Sequence, residues 1–282
     1  MSANATTNRS HLHAAWSAVA PAWGRHAAVV DARARTTNDE MLARVALRPG
    51  ERVLELACGP GGLGLAAAPL IAPGGEVVLS DVAGEMTAVG AARAADLGLA
   101  NVRTRVLDLE EIEEPDGSYE VVLCRDGLQF ATEPGRAAAE IARVLRPGGR
   151  VALATWGPRD RNPWLDVVLD AVGAELGRPV PPPGMPGPFS LSDGAELDAI
   201  LRAAGLRDVT VTELAVGMVV PSFDAWWGMT TALAGPLAFI LGTLPAASTD
   251  AIGDRARAAV RPYETAAGIE FPGLGLIASA RR

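Results

Sequence analysis

A carboxylate, three glycines and a second carboxylate are spaced along this chain so that they could hold a nucleoside. Glu55 sits inside the apolar run Val53-Leu54-Glu55-Leu56-Ala57, which leads directly into Cys58-Gly59-Pro60-Gly61-Gly62. Asp81 ends the next apolar run, Glu76-Val77-Val78-Leu79-Ser80, twenty-two positions after Gly59. Each run predicts a buried strand, and the glycines let the backbone turn tightly and approach a ligand that any Cβ would obstruct. Helical sequence at Leu63–Leu70 lies between them. Strand, glycine turn, helix, strand, acid is the nucleoside-binding half of a doubly wound α/β fold, where the acid takes the ribose hydroxyls. A dinucleotide would call for G-x-G-x-x-G, with a helix N-terminus facing the pyrophosphate. Here the turn reads E-x-A-x-G-x-G; a carboxylate at that point would repel a pyrophosphate and suits a cationic ligand.

The elements that must position these groups alternate regularly. Strands are predicted over Arg52–Ala57, Glu76–Ser80, Val102–Val106, Tyr119–Cys124 and Arg150–Trp156, with helices over Gly62–Ile71, Gly84–Leu97 and Pro134–Leu145. The last of these helices is stopped by Arg146-Pro147-Gly148-Gly149. Before them, residues 11–48 have helical character with Trp16, Val19 and Trp23 on one face, and residues 1–10 are expected to fray. After them comes a stiff connector with six prolines, Arg178–Pro188, then a helix to Ala204 with Ser192 as its expected N-cap. Two further strands, Val209–Leu214 and Gly273–Ala280, enclose about fifty residues, Pro221–Pro272, that read as two or three apolar helices. The expectation is an α/β, doubly wound, seven-stranded, mostly parallel sheet. It divides into an N-terminal helical segment (1–48), a nucleoside-binding core (49–157) and a C-terminal half (158–282) with a helical insertion at about 221–272.

Composition excludes more than it identifies. The formal net charge is −8, which argues against a nucleic-acid partner, since phosphate binding needs a basic face. All 25 basic residues are arginine, so chemistry needing a catalytic lysine is ruled out. Met1–Arg9 is polar with no apolar core of a secretory leader, and no run of eighteen apolar residues is present, so a cytoplasmic location without a membrane span is expected. Cys58 and Cys124 close adjacent strands in this arrangement and are expected to be reduced and packed near the ligand.

The glycine turn resembles motif I of the class I S-adenosylmethionine-dependent methyltransferases, with Ala57 in place of the first glycine. The resemblance extends over about residues 45–156 and is strongest with the ubiquinone/menaquinone-type and natural-product small-molecule subgroup. Leu79-Ser80-Asp81-Val82-Ala83-Gly84-Glu85-Met86 is similar to the second-strand element D-x-S-x-x-M, and Val106-Leu107-Asp108-Leu109 to the third-strand element. Pro115-Asp116-Gly117-Ser118-Tyr119-Glu120 is similar to the D-G-S-F-D turn, and Leu145–Arg150 to the Pro-Gly-Gly approach to the fifth strand. The resemblance implies S-adenosyl-L-methionine as cofactor, held by Glu55, Ala57, Gly59 and Gly61. Asp81 would then take the ribose hydroxyls, Val82 and Met86 flank the adenine, and Asp108 and the Leu109 N–H meet its edge. It also implies that Arg125-Asp126-Gly127-Leu128-Gln129-Phe130 lies beside the sulfonium. The pattern Trp16-x-x-x-Ala20-x-x-Trp23 would be a lid helix over the cofactor, Trp23 offering a cation–π contact of about 0.5–2 kcal/mol.

The chemistry open to such a site is limited by the reaction itself. A sulfonium is an activated donor, so the barrier falls mainly by alignment, and a base is needed only if the acceptor must lose a proton. Arg125, Asp126, Gln129 and His26 are the candidates for work on the acceptor, with Asp126 or His26 as the proton acceptor; no metal is expected. The function implied is methylation, on O, N or C, of a small and largely apolar acceptor in natural-product or quinone-type metabolism. A fold relative that keeps the cofactor but catalyses a cyclisation or rearrangement, and a non-catalytic ligand-binding protein, remain alternatives. The insertion, rich in Phe223, Trp226, Trp227, Phe239 and leucines, would cap the acceptor pocket or form a homodimer interface.

Overall fold

The computed structural model describes residues 3–282, with side chains described from Ser10 onward. The chain opens with one helix, α1, over Ala3–Val45, 43 residues long with Pro21 inside it. Of the segment expected to fray, residues 1–10, residues 1 and 2 and the side chains of residues 3–9 lie outside the described part, and the backbone from Ala3 is helical. The alanine-rich composition favours a helix this long, and Pro21 is on its exposed side, where a lost backbone bond faces water.

The core then alternates: β1 Arg52–Leu56, α2 Gly62–Ala67, β2 Glu76–Asp81, α3 Gly84–Asp96, β3 Val102–Val106, β4 Tyr119–Arg125, α4 Pro134–Val144 and β5 Leu145–Trp156. It continues through α5 Pro163–Leu176, α6 Gly194–Ala203 and β6 Arg207–Ala215. The segment before the last strand holds β7 Met218–Val220, α7 Phe223–Leu233, α8 Gly235–Thr243, α9 Ala246–Val260, β8 Glu264–Thr265 and β9 Gly268–Phe271; β10 Leu274–Arg281 ends the fold. The main sheet has seven strands in the order β3-β2-β1-β4-β5-β10-β6. All are parallel except β10, which runs antiparallel to both β5 and β6. Strand order reverses between β1 and β4, and in open α/β sheets ligands bind beyond the carboxyl ends of the strands at such a point.

Each face of the sheet buries its own core. Leu63, Leu65, Ile71 and Ala94 from α2, the turn after it and α3 cover Val53, Val77, Leu79, Val121 and Leu123, together with Met41 and Val45 from the end of α1. Ile141 and Val144 of α4 and Leu197 and Leu201 of α6 cover Leu54, Leu56, Val122 and Cys124 on the other face. The two halves of α1 thus do different things. Its second half packs on the sheet, where Arg150 donates to the Val45 carbonyl at 2.6 Å and pairs with Glu51 at 2.7 Å. Its first half runs beyond the strand ends, against Ala83 and Met86.

A third core lies outside the sheet. Trp164, Val168 and Val172 of α5 pack with Phe223 and Trp226 of α7, Leu237 of α8, Ile252 and Ala256 of α9, and Phe271 of β9. Two parts of it differ from expectation. The insertion, expected to hold two or three helices, contains three, and with the preceding β7 it also forms a three-stranded sheet, β7-β9-β8, whose strands are too short to stand out. Helix α5 was not expected at all, although Asn162-Pro163 and Gly177 mark its start and stop. The N-cap of α6 is Asp193, whose carboxylate accepts from the Ala195 N–H at 2.8 Å, and not Ser192. No single helix among the described residues is long and apolar enough to cross a membrane; α7 and α8 pass that test only as a pair bent by 99°.

Candidate active site

The glycine turn grows out of the end of β1 and is held from both sides. Ala57, Gly59 and Gly61 have φ of 49°, 51° and 83°, so the chain folds back on itself within a few residues. The Cys58 N–H donates to the Ser80 carbonyl at 2.9 Å, and the Ser80 hydroxyl donates to the Glu55 carbonyl at 2.8 Å, locking β1 to β2 at the turn. Glu55 is 1% exposed and accepts the Gly64 N–H at 2.8 Å, supporting the first turn of α2. A Cβ at Gly64 would overlap that carboxylate. Burial pushes the Glu55 carboxyl up to about 7, against the opposing pull of Arg125 and of the Gly64 bond.

Asp81 stands at the end of β2, facing the turn. Its two oxygens accept the Gly59 N–H at 2.9 Å and the Ala83 N–H at 3.0 Å. Burial raises its pKa, while those backbone donors and the charge of His13 work the other way. Val82 is half-buried and Met86 buried, the latter packed with Ala83 against Val19 and Ala20 of α1, beside Trp16 and Trp23. At the end of β3, Asp108 and Leu109 are half-buried, and Asp108 accepts the Glu110 N–H at 2.8 Å. Trp23 closes the group from above: its ring lies 3.8 Å from where a Cβ on Gly59 would be, and its indole N–H donates to the Leu233 carbonyl at 2.8 Å. The structure therefore brings Glu55, Ala57, Gly59, Gly61, Asp81, Val82, Met86 and Trp23 to one end of β1 and β2, with Asp108 and Leu109 on the neighbouring strand end.

The candidates for work on an acceptor lie across the switch point, after β4. Arg125 is half-buried and donates to Asn38 Oδ1 at 3.3 Å. Asp126 has φ of 56° and its N–H donates to the Ala154 carbonyl at 2.8 Å, a conformation that turns the chain sharply off the strand. Its pKa is raised by burial, against the nearby charges of Arg125 and Arg33. Gln129 lies in a single 3-10 turn, Leu128–Phe130, is 1% exposed, and both its amide atoms lack a partner among the described residues. Phe130 meets Trp16 edge to face at 5.1 Å. His26 is half-buried on α1, one turn beyond Trp23.

Several residues here escaped sequence reasoning. Asp31 on α1 reaches over Gly62, where a Cβ would overlap its carboxylate, and it pairs with Arg93, which also donates to the Pro60 carbonyl at 2.6 Å. Arg33 stacks over Trp164, and burial pulls its pKa down to about 10. Nothing in the order of residues separates these two from the other charges of a long helix; only the path of α1 over the strand ends does. An open surface groove lined by Ser192, Asp193, Val211 and Glu213 is elsewhere, on the β6 side, and includes none of these groups.

The methyltransferase domain family matches residues 53–149. The ubiquinone/menaquinone biosynthesis C-methyltransferase of Ectopseudomonas mendocina is 39% identical over 125 residues, 44% of this chain and 48% of that one. The chain thus spans about half the length of that relative. The nocamycin O-methyltransferase of Saccharothrix syringae is 33% identical over 207 residues, 70% of this chain and 73% of that one. Among solved structures, the YcgJ protein of Bacillus subtilis superposes with a TM-score of 0.61 at 21% identity, over 88% of this chain and 98% of that one, a likeness of fold.

Proposed function

The chain belongs to the class I S-adenosylmethionine-dependent methyltransferases, and from that premise we propose that it methylates a small, largely apolar organic acceptor in quinone-type or natural-product metabolism. The observation that carries this reading is the arrangement of Glu55, the Gly59–Gly62 turn and Asp81 at the switch point of the sheet. The residues present fit the cofactor. Two buried acids flank a turn whose positive-φ glycines leave backbone where a Cβ would intrude, and the half-buried Ala57, Gly59 and Val82 line the same edge. Asp81 would hold the ribose hydroxyls, Met86 and Val82 the adenine, and the Asp108–Leu109 loop its edge. When bound, the cofactor supplies an activated methyl group on a sulfonium.

The protein's own contribution is alignment and exclusion of water. Glu55, ionised, is a negative charge fixed below the turn by the Gly64 N–H, and it favours a cationic ligand there. The first half of α1 acts as a lid, with Trp23 anchored to Leu233 so that its ring face covers Gly59. Arg125, Asp126 and Gln129 line the acceptor side, and burial raises the pKa of Asp126, which makes its carboxylate a stronger base for a proton the acceptor must lose. The cap built on α5 and α7 to α9 supplies the apolar wall of the acceptor site.

Calorimetry with S-adenosylmethionine and its demethylated product tests the cofactor half. Binding of NAD with neither of these would overturn it. Demethylated product accumulating with a candidate acceptor tests the transfer; turnover of the acceptor without that product would mean a cyclisation or rearrangement instead.

A further inference from the structure

Arg33 is a half-buried cation, with one edge of its guanidinium enclosed, for which the cofactor half of the site has no use. It lies on α1 ten residues beyond Trp23, its guanidinium carbon 3.8 Å from the centroid of the Trp164 ring and 5.2 Å from that of Trp156. Trp156 is the last residue of β5 and Trp164 belongs to the first turn of α5, the two rings 4.9 Å apart. The cation is therefore over the carboxyl end of β5, with β4 between it and the glycine turn of β1. Asp126, at the end of β4, supplies the opposing charge.

The Trp164 ring, with Trp156 tilted 59° beside it, satisfies the face of this guanidinium but not its edge. Nε and Nη2 are out of contact with water and have no hydrogen-bond partner among the described residues. These two atoms carry the N–H groups of one side of the guanidinium plane, the fork that meets two oxygens through parallel bonds. Protein interiors seldom leave buried donors unused, and an enclosed cation without its bonds is destabilising. A structural plug against two tryptophans would need neither the fork nor its emptiness; a methionine would fill the space. Gln129, three residues after Asp126, repeats the pattern with an amide whose donor and acceptor are both buried and unpartnered among the described residues. Two elements meeting at the ends of β4 and β5 thus carry unused, oriented hydrogen-bonding capacity.

We infer that Arg33, held against Trp164 and Trp156, recognises the acceptor by taking side-on a planar oxyanion with two oxygens, a carboxylate or a delocalised enolate. The inference rests on the methyltransferase reading and assigns the acceptor class within it. Arg33 orients the acceptor and moves no proton, since a guanidinium does not give one up. The apolar body of the acceptor lies against the tryptophan rings. Because the fork is enclosed, an acceptor reaches it only when α1 or the cap yields, and association is slow compared with diffusion.

The test uses the full chain with saturating demethylated cofactor, followed by tryptophan fluorescence and calorimetry. The probes are 2-naphthoate for a carboxylate and tropolonate for a delocalised enolate whose two oxygens sit side by side, each against its neutral counterpart, 2-naphthamide or tropone. At least one anion should bind roughly tenfold or more tightly than its neutral partner, about 1.4 kcal/mol, and which one does so separates carboxylate from enolate. Arg33→Lys, which keeps the charge but has no planar fork, and Arg33→Met should both lose that preference while demethylated cofactor still binds within about twofold of the wild-type affinity. If Arg33→Met fails to fold, Arg33→Lys carries the comparison. Equal binding of anion and neutral partner, no binding of either anion, or a preference that survives in Arg33→Lys overturns the subsite. A wild-type chain that does not bind the demethylated cofactor overturns the methyltransferase reading itself, which is a different failure.

Discussion

At the scale of single residues, the site is a set of buried charges whose positions can be titrated. Glu55 has a folded pKa of about 7 against 4.5 for a free side chain, so folding disfavours its ionisation. Its stabilising contribution is complete below about pH 4.5 and is lost as pH rises through 7, up to about 3 kcal/mol. Glu55→Gln keeps an oxygen for the Gly64 N–H and removes the titration. Urea denaturation at pH 5 and pH 8 should therefore show a smaller loss of stability on raising the pH in the variant than in the wild type. A cationic cofactor prefers the ionised acid, so its affinity for the wild type should rise over the same interval and stay flat in Glu55→Gln. Asp81 leads to a second expectation. Asp81→Ala removes the carboxylate proposed to take two ribose hydroxyls and also frees the Gly59 and Ala83 N–H groups, so cofactor binding should weaken by about 1.5–3 kcal/mol per charged hydrogen bond lost, read by calorimetry.

Elements hold these residues through a few buried ties. Arg150 joins the end of α1, the entry to β1 and the body of β5, because its guanidinium meets the Val45 carbonyl and both Glu51 oxygens in a buried setting. Arg150→Ala would leave Glu51 enclosed without its partner, and such broken pairs are destabilising by about 3–5 kcal/mol, which chemical denaturation would detect. The turn after β1 stores strain of a smaller kind. Ala57 has φ of 49°, a region that disfavours residues with a Cβ by about 1–2 kcal/mol, whereas a glycine there raises unfolded-chain entropy by only about 0.4–1 kcal/mol. Ala57→Gly should therefore leave the thermal midpoint unchanged or raise it. A clear fall would show that the methyl group's own contacts outweigh the backbone term.

On the scale of the whole molecule, the described residues form two cores against the sheet, one in the cap and a small cluster under the first half of α1. Trp226 is fully buried in the third, and its indole N–H donates to the Trp164 carbonyl at 3.0 Å. It is a core residue of the cap, so it does not probe a subunit interface as its place in the insertion suggests. Trp226→Ala should be destabilising by about 3–5 kcal/mol, with hydrogen exchange rising in α5, α7 and α9 while demethylated cofactor still binds. Phe239 on α8, 64% exposed, is the better probe of association. With the insertion working as a cap, Phe239→Ser should leave the mass in light scattering unchanged; a smaller mass would assign this face to a dimer.

Strand and helix order, the glycine turn and the acid after β2 were legible in the sequence because each is local. An apolar run of five, a glycine that must take positive φ and a Pro-Gly-Gly stop act within a few residues of themselves. Local signals also marked α5, at Asn162-Pro163 and Gly177, but a continuous apolar helix beside a proline connector does not announce what it packs against. The short strands β7, β8 and β9 left almost no pattern, since two to four residues hold too little periodicity to read. The candidate site divides the same way. Glu55, Asp81 and Asp108 sit at strand ends, where position along the chain is position in the site. Asp31 and Arg33 are on a 43-residue helix on which any of several charges could face the core, and only the path of α1 across the strand ends chooses them. Sequence by itself determined which edge of the sheet gathers the glycine turn and the two acids, because register and turn chemistry are properties of neighbours along the chain. Tertiary structure alone decided which side chains come down onto that edge from afar, because burial and the loss of water depend on contacts that no local pattern encodes.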